Sequence, residues 1–147
     1  MIVLPNYDSP NSLRTYLEQN NMAMQKKFGQ NFLINKHSRE LLVSALNLND
    51  SKSVWEIGPG LGAMTSMLLE TKAQVTAFEI DRGFSKALKD FFGDYPNFSL
   101  IEGDVLKTWQ KKAQEKIPDC LFGNLPYNIA ATIIGDTIEK SVQFDTI

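Results

Sequence analysis

Apolar and polar positions along the chain fall into two regimes. Up to about residue 50 the apolar residues recur at helical spacing. Leu13, Tyr16 and Leu17 predict a helix over 12–20 with Ser12 as its cap, and Leu41, Leu42, Ala45, Leu46 and Leu48 predict an amphipathic helix over 37–48. Beyond that point short apolar runs alternate with helical patterns. Strands are predicted over 53–57, 74–80, 97–101 and 119–122, helices over 63–70, 85–92 and 130–140, and the opening of a fifth strand at 144–147. Repeated βα units imply an α/β protein whose mostly parallel, doubly wound sheet is covered on both faces and joined by right-handed crossovers. The pattern divides the chain into an N-terminal helical segment, residues 1–50, and a sheet-bearing unit, residues 51–147. The fifth strand stops after four residues, so the sheet edge reads as unfinished and the chain as a fragment.

Composition narrows this only a little. With 147 residues, 43% hydrophobic and 22% charged, the chain suits one globular domain rather than a disordered segment. The single cysteine, Cys120, excludes an internal disulfide and lies in an apolar run, where a buried structural thiol is expected. No apolar stretch approaches the roughly 18 residues of a membrane span. The opening MIVLPNYDSP has no basic segment ahead of its apolar residues, unlike a signal peptide. A cytoplasmic location without a membrane or metal partner is expected. The net charge of −2 argues neither for nor against a polyanion. Lys26, Lys27, Lys36 and Arg39 do cluster near Phe28 and Phe32, which suits either a nucleic-acid surface or a solvated helix end.

The stretch SVWEIGPGLGAMT places Gly58, Gly60 and Gly62 between a predicted strand and a predicted helix. Glycine lets the backbone turn tightly and approach a ligand closely, and the helix start offers unpaired N–H groups. Gly58-x-Gly60-x-x-Ala63, with Glu79 ending the next strand, satisfies a fingerprint for nucleoside-bearing cofactors. Glu79 is suited to accept hydrogen bonds from ribose hydroxyls. NAD and S-adenosylmethionine both fit this loop. Glu56 tilts the choice, because a carboxylate beside the glycines would repel a pyrophosphate and tolerate an ammonium. Asp104, at the carboxyl end of the third strand, can accept from an adenine amine, or serve only as a loop solubiliser or helix cap.

The fourth strand runs into Asn124-Leu125-Pro126-Tyr127 at the same edge. Methylating an exocyclic adenine amine requires a delocalised lone pair to be turned towards the donor. Two acceptors aimed at the amine hydrogens achieve this. The Asn124 side-chain oxygen is one; the Leu125 carbonyl, held by the extended geometry that Pro126 imposes on its predecessor, is the other. Tyr127 offers a flat face on which an extruded base can stack. Positioning and electrostatics then suffice, without a strong base. The only histidine, His37, reads as the beginning of a helix.

The segments KKFGQNFL, EIGPGLGAMT, AFEID, EGDVL and NLPYNIA, in this order and spacing, resemble the ribosomal RNA adenine dimethyltransferase family. Its members convert adenosines of small-subunit rRNA to dimethyladenosine with S-adenosylmethionine, and it is related to the erythromycin-resistance methyltransferases. The resemblance implies a Rossmann-like class I methyltransferase fold, S-adenosylmethionine as cofactor, and a monomer acting on the pre-30S particle during ribosome maturation. By position it implies that Asn31 and Leu33, with Gln30 adjoining, contact the methionine part. Gly58, Gly60 and Gly62 would line methionine and ribose beside Glu56. Glu79 would hold the ribose, Ile80 pack on the adenine, Asp104 read its amine and Val105 flank its ring. Asn124, Leu125, Pro126 and Tyr127 would clamp the target base, with Asn124 also reaching the cofactor.

Two departures stand out. Where the family has Ser-Thr-Pro after NLPYNI, this chain has Ala130-Ala131-Thr132, which is expected to cost the next helix its cap. The family also continues into further strands, a second aromatic and a helical RNA-binding domain, so this chain alone is expected to be weak or inactive on rRNA. A non-catalytic RNA-binding or ribosome-assembly factor with the same fold, an NAD-linked oxidoreductase and a member of the resistance branch remain as alternatives at this point.

Overall fold

The computed structural model describes residues 2–22 and 33–147. Its elements run α1 (Pro10–Gln19), α2 (Lys36–Ala45), β1 (Ser53–Ile57), α3 (Ala63–Glu70), β2 (Gln74–Glu79), α4 (Arg82–Phe92), β3 (Phe98–Glu102), α5 (Val105–Glu115), β4 (Cys120–Gly123) and α6 (Tyr127–Glu139). The four strands form one parallel sheet in the order β3-β2-β1-β4, with Ile57 opposite Phe78 on one side and Gly123 on the other. This is the α/β architecture read from the alternation, and all four carboxyl ends lie along one edge.

Side chains of β1 alternate between two cores, as a pleated strand requires. Val54 joins Leu68, Leu88, Phe92 and Cys120 under α2, α3 and α4. Trp55 and Ile57 join Trp109, Leu121 and Ile133 under α5 and α6. Every residue of β1 is buried, the signature of a parallel sheet covered on both faces. Cys120 is buried as expected. A third cluster unites Leu13 and Leu17 of α1 with Leu61, Phe84 and Ala87, so the N-terminal helix packs on the start of the sheet unit.

Several expectations need correction. The whole of α5 is absent from the pattern reading, although Val105 and Trp109 are buried and a parallel crossover requires a connection of about a dozen residues. The helix expected at 130 begins at Tyr127, directly after Pro126, whose fixed φ already suits a helix start. Ala130 therefore sits in the second turn, and no cap is lost there. Ser9, not Ser12, caps α1, accepting from the Ser12 N–H, with Pro10 opening the helix. In α2 the expected apolar face holds only at its end: Leu46 is buried and Leu48 packs beside it, but Leu41 and Leu42 are 57% and 41% exposed and Arg39 is the residue turned inward. The fifth strand is reduced to a single parallel bridge, Thr146 to Cys120, on the outer edge of β4.

Candidate active site

The three loop glycines all adopt positive φ: 67° at Gly58, 58° at Gly60 and 86° at Gly62. Gly62 caps α3 in the left-handed region, and a Cβ there would overlap the Phe92 ring. Glu79, 2% exposed, reaches into the loop from the end of β2. Its Oε2 accepts from the Gly60 N–H at 3.1 Å and its Oε1 from the Asp81 N–H at 2.9 Å. Burial raises its pKa to about 7 despite these bonds. Glu79 thus shapes the loop while keeping further lone pairs for a ligand.

Glu56 is also 2% exposed, on the same face of the sheet. Thr65 Oγ1 donates to its Oε2 at 2.6 Å. Burial raises its pKa to about 8; the Thr65 bond works against the rise and the charge of Glu79 adds to it. Glu56 lines a cleft together with Tyr7, Leu33, Gly58, Leu61 and Asn124. Residues named from separate segments of the sequence therefore meet here. Gln30 and Asn31, like Phe28 and Phe32, lie outside the described residues.

The β3 end presents Asp104, which caps α5: its Oδ1 accepts from the Leu106 N–H at 2.9 Å. Oδ2 has no hydrogen bond among the described residues. Val105 is buried against Trp109, and Ile80 is 40% exposed just past β2. The β4 end carries the proposed clamp. The Leu125 side chain folds back over two glycines, since a Cβ on Gly58 would lie 3.2 Å from its Cδ2 and one on Gly123 2.8 Å from its Cγ. Its carbonyl accepts no backbone hydrogen bond among the described residues. Pro126 is extended, with φ −56° and ψ 144°. Asn124 is exposed, and Tyr127, at the first turn of α6, is 88% exposed. Asn124 thus lines the cleft, the Leu125 side chain rests against Gly58 of the glycine loop, and Tyr127 follows at the start of α6.

Residues 21–146 match the family described as ribosomal RNA adenine dimethylase. The chain belongs to this family. A Treponema denticola protein named ribosomal RNA small subunit methyltransferase A is 56% identical over 146 residues, covering 97% of this chain and 50% of its own length. A Treponema pallidum protein of the same name is 46% identical over 140 residues, covering 95% and 48%. Among solved structures, the 23S rRNA methyltransferase ErmE superposes with a TM-score of 0.62 at 27% identity, covering 74% of this chain and 43% of its own. A dimethyladenosine transferase from Plasmodium falciparum gives 0.61 at 28%, covering 75% and 39%. The chain spans about half the length of the curated relatives it matches.

In this dimethylase-family chain, two residues tied to the cleft escape the sequence reading, Tyr7 in its lining and Thr65 behind Glu56. Thr65 carried a usable signal: it shares the buried side of α3 with Met64, Leu68 and Leu69, and a buried hydroxyl requires a partner. Tyr7 carried none. Its hydroxyl donates to the Leu61 carbonyl at 2.8 Å across 54 positions of sequence. Among the described residues no cluster of three His, Cys, Asp or Glu stands where a metal ion would need it.

Proposed function

We propose that the protein is an rRNA adenine N6,N6-dimethyltransferase that moves methyl groups from S-adenosylmethionine to adenosines of small-subunit rRNA on the maturing 30S particle. One observation carries the reading: Asn124, the first residue of the base clamp, lines the same cleft as Glu56 and Gly58. A donor held by the glycine loop and a base held by the clamp would share a wall, which is the proximity that group transfer needs.

The residues present fit this cofactor. Glu56 is a buried carboxyl with one oxygen taken by Thr65, and an ammonium bound beside it would favour its ionised form. Glu79 and Asp104 stand at the neighbouring strand ends for ribose and adenine, and Ile80 and Val105 flank that position. Leu33, with Gln30 and Asn31 in the segment before it, would meet the methionine part. The sulfonium, when bound, supplies an activated methyl group and a neutral leaving group.

The chain's own residues do the rest. Asn124 Oδ1 and the Leu125 carbonyl accept from the two hydrogens of the target amine and steer its lone pair towards the donor. Pro126 holds Leu125 extended, and the exposed ring of Tyr127 stacks on the base. The proton released as nitrogen gains carbon leaves through these acceptors to water. We place the activity in the cytoplasm, in a monomer without a metal. In the described residues no helix is long and apolar enough to cross a membrane.

The test is to incubate a form of the protein as long as its curated relatives with S-adenosylmethionine and 30S particles from unmethylated cells, then digest the RNA for mass spectrometry. Dimethyladenosine in the small-subunit RNA is expected. A product confined to large-subunit RNA, or none with the full-length protein, would refute the reading.

A further inference from the structure

Two irregular segments line the cleft, and neither belongs to the sheet. The stretch before α1 contributes Tyr7, and the stretch before α2 contributes Leu33. Irregular backbone has no ladder to fix it, so its polar groups must be held by other partners. Here one guanidinium holds both. Arg39, 4% exposed, donates from Nη1 to the carbonyls of Ile34 at 2.7 Å, Leu33 at 2.8 Å and Tyr7 at 3.5 Å. Its Nη2 donates to the Asp8 carboxylate. A buried cation is costly unless its partners compensate, and the fork of arginine serves the carbonyls from Nη1 and the carboxylate from Nη2 at once.

Tyr7 extends the chain of contacts into the glycine loop. Its hydroxyl donates to the Leu61 carbonyl at 2.8 Å, and its ring lines the cleft beside Glu56, Gly58 and Asn124. Burial, with the negative charge of Glu56, raises the phenol far above its ordinary range, so it remains a neutral donor. The strand order matters here. With β3-β2-β1-β4, the adenosine side of the edge carries Glu79 and Asp104, and the other side carries Glu56 and Asn124. Tyr7 lies with the second pair.

We infer that Tyr7 is a wall of the cofactor site on its amino-acid side, and that Arg39 is the positioning residue that sets Tyr7 and Leu33 in place. This rests on the S-adenosylmethionine reading above. It assigns the N-terminal segment a part in donor selectivity, through contacts that bear on the methionine portion and not on the adenosine.

Two probes separate those portions. S-adenosylhomocysteine carries both, whereas 5′-methylthioadenosine lacks the amino acid. Calorimetric titrations of both ligands would compare the protein with Tyr7→Ala, Tyr7→Phe and Arg39→Lys, with thermal melts run alongside. Tyr7→Ala is expected to weaken S-adenosylhomocysteine by ~10-fold or more and 5′-methylthioadenosine by less than ~2-fold. Tyr7→Phe keeps the ring and loses only the tie to the loop, so a selective loss of ~3-fold is expected. Arg39→Lys should behave like Tyr7→Ala, because one ammonium cannot hold the carbonyls and the Asp8 carboxylate at the same time. Equal losses for both ligands would mean that these residues only support the fold, and unchanged affinities would mean that they do not touch the site; either overturns the inference. If the unaltered protein binds neither ligand, the cofactor reading itself falls and takes the inference with it.

Discussion

Thr65 and Glu56 face each other across the seam between α3 and β1, the hydroxyl oxygen 2.6 Å from the carboxylate oxygen it donates to. Even with that bond, burial holds the Glu56 pKa at about 8, against 4.5 for the group in water. The folded state therefore keeps a proton that the unfolded chain releases. The stability this contributes is complete below pH 4.5 and is lost as pH rises towards about 8. Glu79, raised to about 7, acts in the same direction. The melting temperature of the unliganded protein should fall across this window, and Glu56→Gln should flatten the fall. Calorimetric melts at a series of pH values check this; an identical slope in the variant would show that Glu56 is not the group responsible.

Gly62 tests the loop itself. Its φ of 86° is unfavourable for any side chain, and a Cβ would press on Phe92 and lie 3.1 Å from Leu88 Cδ2, both fully buried. Gly62→Ala should cost ~2–4 kcal/mol from backbone strain and overpacking together. Urea unfolding would measure it. A midpoint indistinguishable from the parent would contradict the geometry described.

Asp104 caps α5 and, on the function proposed above, also meets the adenine amine, and substitution can divide the two roles. Asparagine caps helices as well as aspartate does, whereas alanine costs ~1 kcal/mol at such a position. Asp104→Asn should therefore leave stability unchanged and weaken 5′-methylthioadenosine binding, because the charge facing the adenine amine is gone. Asp104→Ala should lose both. Should Asp104→Asn bind the nucleoside normally, the residue is a cap alone.

The clamp is tested at its two exposed members. Asn124→Ala should reduce kcat for methyl transfer by ~100-fold or more, the scale for removing one preorganised polar contact at a reacting centre. Tyr127→Ala should lower kcat/KM by ~10–100-fold, since base stacking is worth ~1–3 kcal/mol, while Tyr127→Phe should stay near the parent. Neither Tyr127 variant should alter the melting temperature, because the ring is 88% exposed. A Tyr127→Ala enzyme with full activity on 30S particles would remove stacking from the mechanism.

Legibility in the sequence depends on the range of each physical cause. The four strands and the glycine loop rest on local rules, apolar runs between turns and residues free to take positive φ, so they were legible within a residue or two. α5 was not, because Lys107, Lys111 and Lys112 dilute its short apolar stripe of Val105, Trp109 and Ala113. Arg39 defeats the pattern for a different reason. The carbonyls of Tyr7, Leu33 and Ile34 need a donor, and supplying it turns a charged residue inward while Leu41 and Leu42 face out. The proposed clamp rests on NLPY, four consecutive residues whose chemistry can be weighed without any long-range contact. Tyr7 on Leu61 was not legible, since a long-range contact leaves no periodicity behind.

Leu125 gives the two halves of the site a common mechanical tolerance. Its branched end rests against the backbone of Gly58 on one side and Gly123 on the other, while its own carbonyl is the second acceptor of the proposed clamp. A displacement of the backbone at Gly58 presses on Cδ2 and one at Gly123 on Cγ and Cδ1, atoms of one side chain. On the function proposed above, the grip on the donor and the aim of the acceptor would be adjusted together, and a bulkier residue at either glycine would disturb both at once.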